Sequence, residues 1–497
     1  SPGNSYGRIT FVGAKDFSGA TFDIEIDPTS DINDGDRVIV TDTATVEGVI
    51  VRHDVGPQGS LLVDYVDPSY KWLILRAKTI DGEFVPEVET TLLYLTPELS
   101  YGIVDPDVYP EGTSGDGSTD LTAGVFMSFR QTSSFGDYAL TRNERATASA
   151  LETLSRDSNL YKELLTGVTK GEERAILNAL SGEPHVSVKT HLARQDDGFM
   201  RRFLRHAGQS AQRDAKSGRG NGSDFWIDID RTRADADGNH NAARATLHGT
   251  EISGGHDAHL SGGGLAGVAF RLGESRQEVK NDRNASADLT TGTAAFYVGK
   301  ERILSDGTLR VLFSGAFSRH GVESKRKVRI GQNTQKLETT TAGTAVTAAL
   351  ETAYRLTPVE EVIVEPYAAL TLTHLHMNGF KEKGGSAALN KKGDTWTPVT
   401  STLGVRFSTP LQNHVSFDAD IGWQHRYGTT PKSVFTFNAG SAPFKIRGAD
   451  LNRNAAILGL GVGVNLTDKA RIGLRYDGEL STRGKSHQGQ VVFEMKW

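Results

Sequence analysis

From about residue 219 to the end, apolar and polar residues alternate with a period of two. Val415, Phe417, Ala419, Ile421 and Trp423 stand between Ser416, Asp418, Asp420, Gly422 and Gln424. Ala456, Leu458, Leu460, Val462, Val464 and Leu466 oppose Gly459, Gly461, Gly463 and Asn465. Ala470, Ile472, Leu474 and Tyr476 oppose Arg471, Gly473, Arg475 and Asp477, and the chain closes on Val491, Phe493, Met495 and Trp497 against Gln490, Val492, Glu494 and Lys496. A strand puts successive side chains on opposite faces, so each segment has one apolar face and one that carries charge. About twelve such strands can be placed, near 223–232, 243–255, 262–273, 286–298, 308–320, 342–356, 362–377, 395–408, 413–427, 453–466, 469–480 and 486–497. Short connections (Thr467-Asp468, Thr357 to Glu360, Thr409-Pro410-Leu411) alternate with long polar ones near 321–341, 378–394 and 428–452. A soluble sandwich also alternates. An even strand count with short turns on one rim and long loops on the other is instead the pattern of a transmembrane β-barrel, which has no free edge to aggregate.

Composition narrows the alternatives. No stretch of about 18 apolar residues occurs, so no helix can span a membrane. The 55 basic and 61 acidic residues leave a net charge of -6, which speaks against a nucleic-acid partner. There is no cysteine, so disulfide and thiolate chemistry are absent. The start, Ser1-Pro2-Gly3, has neither Met nor an apolar leader and reads as a fragment of a longer precursor. Charge is uneven: residues 1–120 hold about 22 acidic and about 7 basic residues, roughly -15, which leaves roughly +9 for the remainder.

Four regions follow. Residues 1–105 read as short strands (Tyr6 to Val12, Thr21 to Ile26, Arg37 to Thr41, Gly48 to Arg52, Leu61 to Tyr65, Lys71 to Ala77, Thr91 to Leu95, Leu99 to Val104), either a sandwich or a β-solenoid. Residues 106–140, with Pro106, Pro110 and the run from Gly112 to Ser118, read as a flexible linker. Residues 141–218 change to helical spacing at Ala146, Ala150, Leu151 and Leu154, and again at Leu160, Leu164 and Leu165. Within them, 185–207 would form a helix of roughly 33 Å, close to a bilayer core but too charged to face lipid, with Gly198 as a point of bending or fraying. Residues 219–497 are expected to form the barrel.

Trp226, Tyr297, Tyr354, Trp396, Trp423, Tyr476 and Trp497 are expected on the outer face as an aromatic girdle. Gly459, Gly461 and Gly463 precede no helix, so they are not a nucleotide loop, and are expected to let an internal plug approach the wall. His248, His256 and His259 would lie along a strand and a turn and read as rim histidines, His374 and His376 share a strand face, and the acidic turn Asp27, Asp31, Asp34 and Asp36 lacks the calcium-loop pattern. No catalytic triad, cofactor motif or metal site is expected.

Several short motifs resemble the translocation unit of classical autotransporters, the monomeric type V secretion family. Thr141-Arg-Asn-Glu144 resembles the family's entry into its helical linker, and Leu180-Ser-Gly-Glu183-Pro-His185 the segment before its pore helix. Trp226 in Asp224-Phe-Trp-Ile-Asp228 resembles the tryptophan of its first barrel strand, and Gly254-Gly255-His256-Asp257 with Gly262 to Val268 its turn before a glycine-rich strand. Val491, Phe493, Met495 and Trp497 resemble its C-terminal assembly signal, with Trp in place of Phe. Tyr6 to Thr10, Asp36 to Asp42, Ala44 to Gly48 and Trp72 to Ala77 with Gly82 to Phe84 resemble the β-helical end of its passenger.

The resemblance implies an all-β chain with a helical linker: a 12-stranded antiparallel barrel in the Gram-negative outer membrane, an α-helix in its pore, and a short β-solenoid outside that aids folding of the exported passenger. Lys189, Arg194, Arg201, Arg202 and Arg205 of the pore helix would meet Glu351, Asp418, Asp420, Asp477 and Glu494 of the wall. Expected partners are outer-membrane lipid, the barrel-assembly machinery, periplasmic chaperones and the chain's own passenger, around a monomer. The 185–207 segment contains no Asn, so self-cleavage by an Asn route is not expected. Two other readings are a stand-alone outer-membrane pore or adhesin with a separate N-terminal β domain, and a soluble two-domain β enzyme.

Overall fold

The computed structural model describes residues 6–28, 30–55, 70–109, 121–217, 223–280, 283–359, 362–409 and 414–496. Among them, twelve antiparallel strands form one closed sheet. They are Ser223–Ala236, Ala245–Leu260, Gly264–Val279, Ala285–Leu304, Gly307–Ile330, Asn333–Val359, Val362–Met377, Val399–Ser408, Val415–Tyr427, Asn454–Asn465, Ala470–Ser481 and Gly484–Lys496. A short strand, Asp394–Trp396, precedes the eighth on the same edge of the seventh. The first and last strands close the barrel, in register from Asp224 opposite Lys496 to Ala236 opposite Gly484.

Alternation then sorts the side chains. On the first strand Phe225, Ile227 and Ile229 point outward and are exposed, while Asp224, Trp226, Asp228 and Asp230 point inward and are buried. Three aromatic residues expected in the outer girdle are therefore on the inner face: Trp226 is 3% exposed and Tyr297 1%, and Trp396 stands opposite buried Leu375 and packs against the lumen cluster. Parity is the reason, because Trp226 shares its face with three aspartates. Trp423 and Tyr476 are outside, at 47% and 41%. Trp497 and the Leu61 to Tyr65 strand expectation lie outside the described residues.

The long polar connections are not loops. Residues 321–341 continue the fifth and sixth strands as a hairpin that turns at Gly331 and Gln332. Outward residues of this extension are polar (Glu323, Lys325, Lys327, Arg329), and its inward ones (Val322, Val328, Ile330) are buried. The strands thus run on past the apolar belt wherever one face still has something to cover. Residues 378–394 and 428–452 contribute Phe380–Lys381, Leu389–Lys391, Lys432–Phe437 and Phe444–Arg447 to a four-stranded sheet over the same rim.

Beside that sheet lie three short helices, α1 (Arg142–Leu151), α2 (Asn159–Gly167) and α3 (Glu173–Leu180). Thr141 and Glu144 make a reciprocal capping box at the start of α1. Buried Asn143 donates to the Asn241 and Arg447 carbonyls, both at 2.8 Å, and accepts from the Arg447 N–H. The Thr-x-Asn motif is thus the tack that holds the helices to the barrel loops.

The N-terminal segment is a solenoid. Arg8–Phe11 pairs in parallel with Arg37–Thr45, and that with Trp72–Asp81. Thr21–Glu25, Ile50–Asp54 and Glu89–Thr90 stack likewise in a second sheet. Both sheets repeat first after 29 residues and then after 37. Parallel stacking of this kind excludes the hairpin-built sandwich. Ala123–Gln131 lies within the span expected as a linker, yet it pairs antiparallel with Trp72–Asp81 and with Leu95–Ile103. Its Val125, Phe126, Met127 and Phe129 bury the apolar face that the last rung would otherwise expose. The Gly112 to Ser118 run lies outside the described residues.

One apolar core runs from the solenoid (Phe22, Trp72, Phe129) through the helices (Leu151, Leu165, Leu177) to the barrel rim (Ile330, Leu389, Phe435). Backbone bonds reinforce it: Leu93 N–H donates to the Val168 carbonyl at 3.1 Å, and Lys170 N–H to that of Thr91 at 3.0 Å.

A fourth helix, α4 (Glu183–Ser217), has 35 residues. It starts earlier and ends later than expected and runs unbroken through Gly198, where an added Cβ would meet only the end of Arg202 at 3.7 Å. Gly182 is different: its φ is +70° and a Cβ there would strike Leu389. Gly182→Ala should therefore cost about 1–3 kcal/mol, whereas Gly198→Ala should be neutral or stabilise by up to about 1 kcal/mol. Unfolding midpoints of the two variants check this ordering.

The candidate translocation pore and its axial helix

Helix α4 bonds to lumen-facing residues on strands around the whole barrel, so it lies along the pore and not beside the wall. At its upper end His185 Nε2 sits 2.7 Å from Glu382 Oε1. Arg326 donates to both oxygens of Glu382, each at 2.7 Å, and all three side chains are buried. Lys189 donates to Asp394 at 2.6 Å and to the Lys432 carbonyl at 2.9 Å.

At mid-helix the polarity reverses. Asp196 accepts from Arg271 at 2.5 Å and lies 3.1 Å from His320 Nε2. Asp197 lies 3.7 Å from Arg426. Lower down, Arg202 donates to Glu251 at 2.8 Å and lies 3.3 Å from Asp230. Arg205 grips Asp477 with two bonds of 2.9 and 3.1 Å. His206 lies 2.7 Å from Asp257, and Ser210 donates to Asp224 at 2.9 Å.

The expected basic helix against an acidic wall is thus only half of the arrangement. Of the five expected cations, Lys189, Arg194, Arg202 and Arg205 pair with wall acids, with Arg194 at 3.8 Å from Glu479. Arg201 makes no ion pair among the described residues. Of the five expected wall acids, Asp477 meets the helix, and Glu494 lies 3.5 Å from His206 while pairing with Arg471. Glu351, Asp418 and Asp420 bond within the wall, to Arg406 and Arg310, to Arg475, and to the Tyr367 hydroxyl. Composition could not separate wall acids that face the helix from those that face a neighbouring strand. Glu251, Asp257, Glu382, Asp394 and Glu479 were missed for that reason. The helix acids Asp196 and Asp197 carried a signal, since acids in a basic pore helix need wall cations.

The glycine trio also serves the wall. A Cβ at Gly459 would strike Arg475, one at Gly461 would strike Asp418, and one at Gly463 would strike Arg471. These glycines let Arg471 and Arg475 lie across the tenth strand to reach Ser416 and Asp418 on the ninth.

Helix α4 packs tightly on one side. Gly255, Ala269, Ala295 and Ala316 are cross-strand neighbours in one row, and Trp226 sits opposite Gly255. This row of small residues is a trough for Phe199, Met200 and Phe203. Gly255 is required there, because a Cβ would meet the Trp226 ring at 2.7 Å. Phe203 packs edge-on to Tyr297 at 5.2 Å. Arg271 lies over the Phe199 ring at 4.7 Å. The Gly-Gly-His-Asp motif therefore seats a tryptophan and, through Asp257, holds His206.

The C-terminal residues Val491, Phe493 and Met495 point outward on the closing strand, with Phe493 opposite Ile227 and Met495 opposite Phe225.

Residues 225–477, just over half of the 497, match the family described as autotransporter beta-domain. The chain belongs to this family. Two extracellular serine proteases of Serratia marcescens are each 25% identical, over 417 and 368 residues, covering 73% and 70% of this chain. The chain spans only 38% and 34% of their lengths. Among solved structures, the translocator domain of NalP from Neisseria meningitidis is 16% identical with a TM-score of 0.47, covering 63% of this chain and 98% of that one. The β domain of Bordetella BrkA is also 16% identical, with a TM-score of 0.40, covering 56% and 100%. An autotransporter β-domain is the outer-membrane translocator of type V secretion, with its passenger at the cell surface. The rim that bears the solenoid and helices α1–α3 is therefore extracellular, and the rim that bears Ser223 and Lys496 is periplasmic.

Two expectations test this site. Burial pushes the Glu382 carboxyl up, but Arg326 and His185 outweigh it and hold the group well below its ordinary 4.5. A depressed carboxyl stabilises the fold above its unfolded value, and that contribution fades as pH falls towards the folded value. The stability of the extracellular cap should be level between about pH 7 and 5 and decline below about pH 4.5, and Glu382→Gln should flatten that decline, as followed by thermal unfolding across pH. In the lumen, Asp477→Ala should cost about 3–5 kcal/mol by stranding Arg205. A double-mutant cycle with Arg205→Ala should recover much of that loss, as read from denaturant unfolding.

Proposed function

We propose that the chain exports its own N-terminal segment through this barrel, keeps it anchored by α4, and uses the solenoid to start its folding. The observation that carries the reading is the path of α4. An even number of strands returns both ends of the barrel to the periplasmic rim, while the solenoid stands at the other. Only a segment threading the lumen can join them. Arg8–Phe11 and Thr21–Glu25, the first rung, stand at the edges of their parallel sheets, and a solenoid's stability is close to a sum over neighbouring rungs. A rung already folded therefore lowers the cost of the next one to emerge.

In this reading the β-domain is not itself catalytic. The relatives' name, extracellular serine protease, makes proteolysis the first activity to look for in any longer passenger. Insertion would use the barrel-assembly machinery, with Val491, Phe493, Met495 and Trp497 as its signal, after escort by periplasmic chaperones, and would yield a monomer. The domains of this reading are the passenger end at 1–105, the connection at 106–140, the helical segment at 141–218 with the pore helix, and the translocator at 219–497.

Expressed behind a signal peptide with a tag before Ser1, the protein should lose the tag to external protease on intact cells while a fragment of about 280–310 residues survives, the length of a barrel with its threaded helix. A tag that stays protected until the cells are lysed would instead support an outer-membrane pore with a periplasmic domain.

A further inference from the structure

The lumen around α4 changes character along its length. About one and a half to two and a half turns below its extracellular end, Val188 and Leu192 pack against Leu247, Leu289, Val322 and Leu375, all nearly inaccessible. Those wall residues come from the second, fourth, fifth and seventh strands. The remaining side is closed by residues 448–451, from the connection between the ninth and tenth strands. Thr190 donates to the Ala449 carbonyl at 2.5 Å, and Ala449 N–H donates to Ser187 at 2.7 Å. Gly448 lies so close that a Cβ would stand 2.8 Å from Ser187 N. At this level the polar side chains of Glu183, His185, Ser187, Lys189 and Thr190 all have protein partners.

Starting at His191, which stands between Val188 and Leu192, and running downward from there, the side of the lumen under the first, second, eleventh and twelfth strands is different. Among the described residues, His191 Nε2, Arg194 Nη2, Gln195 Oε1, Arg201 Nη1, Gln488 Nε2 and Gln490 Oε1 are buried without a hydrogen-bond partner. They border two cavities of about 50 Å³ each, one beside His191 and Gln488, the other beside Arg205 and Gln490. A buried polar group left unpaired costs about 1–3 kcal/mol, so six gathered in one place call for water. Each cavity has room for about three to five molecules. On the opposite side the alanine trough is filled by Phe199, Met200 and Phe203.

We propose that the permeability seal of this barrel is the dry collar at Val188 and Leu192, closed by residues 448–451, and that a hydrated crevice begins beside its lower edge at His191 and runs down one side of α4. The helix alone does not plug the pore. A constriction lined by apolar side chains stops ions by excluding water, which a crevice lined by charges cannot do. The proposal rests on the translocator reading, since only a membrane barrel needs such a seal.

Ion current through the full chain in planar lipid bilayers tests it. The wild type should be closed. Leu192→Ser with Gly448→Val should raise the current about tenfold or more by wetting the collar. Leu375→Ser, which leaves α4 and the 448–451 segment intact, should also leak and decides the matter if the first variant does not fold, as judged by its heat-dependent gel mobility. Gln488→Ala with Gln490→Ala, which widens the crevice below, should stay closed. Equal leakage from the crevice variant, or closed collar variants that are folded, would overturn the proposal. A wild-type chain that does not enter bilayers would fail the membrane reading itself, a distinct result.

Discussion

A bilayer offers no water to backbone N–H and C=O groups, so a sheet can cross it only if it closes. In this protein closure is the pairing of the first strand with the twelfth, and the other features follow from it. Twelve antiparallel strands bring both ends of the barrel to one rim. The segment before the first strand must then run back through the lumen to reach the other side, and α4 is that segment. Its charge follows too, because a helix that touches neither lipid nor a continuous apolar wall has to bring partners for polar neighbours.

Buried ion pairs are weak sources of net stability but costly to break. The lumen divides its charges accordingly. Glu351, Glu365, Arg310 and Arg406 form a network within the wall, as do Arg475 with Asp418 and Arg471 with Glu494. These remain satisfied whatever occupies the pore. Asp477, Arg271, Glu251 and Asp257 are shared: α4 supplies a partner to each, while Asp477 also meets Arg475 and Arg271 lies 3.6 Å from Glu251 within the wall. The second group fixes the register of the helix, while the first keeps the wall balanced in its absence. Because the helix carries both signs, a shift of one turn would place Asp196 or Arg205 against the wrong partner.

At the extracellular rim the same logic appears in apolar form. Helices α1–α3 and the four-stranded sheet are too small to have cores of their own. They share one with the solenoid above and the hairpin extension below. The solenoid thus stands on a packed platform, and its last rung is finished by Ala123–Gln131, which turns the parallel stack into an antiparallel edge. That strand was hidden in the sequence because its flanks are rich in Gly, Ser and Pro. Its own Val125, Phe126 and Phe129 have neighbours only in the folded sheet.

The sequence by itself determined the number of barrel strands, the apolar and polar alternation along them, the helical segment and the region of short strands, since these depend on local periodicity and a strand shows its period within a few residues. The resemblance of its motifs to autotransporter translocation units pointed to a pore position for the helix that carries Lys189, Arg202 and Arg205. Tertiary structure alone decided which carboxylate meets which cation. It put Trp226 inside, over Gly255, and turned the connections at 321–341, 378–394 and 428–452 into sheet. It also assigned Gly459, Gly461 and Gly463 to the arginines of their own wall. The physical reason is the same in each case. A period is a property of one strand, whereas a partner is set by the register between strands that closure brings together from distant parts of the chain.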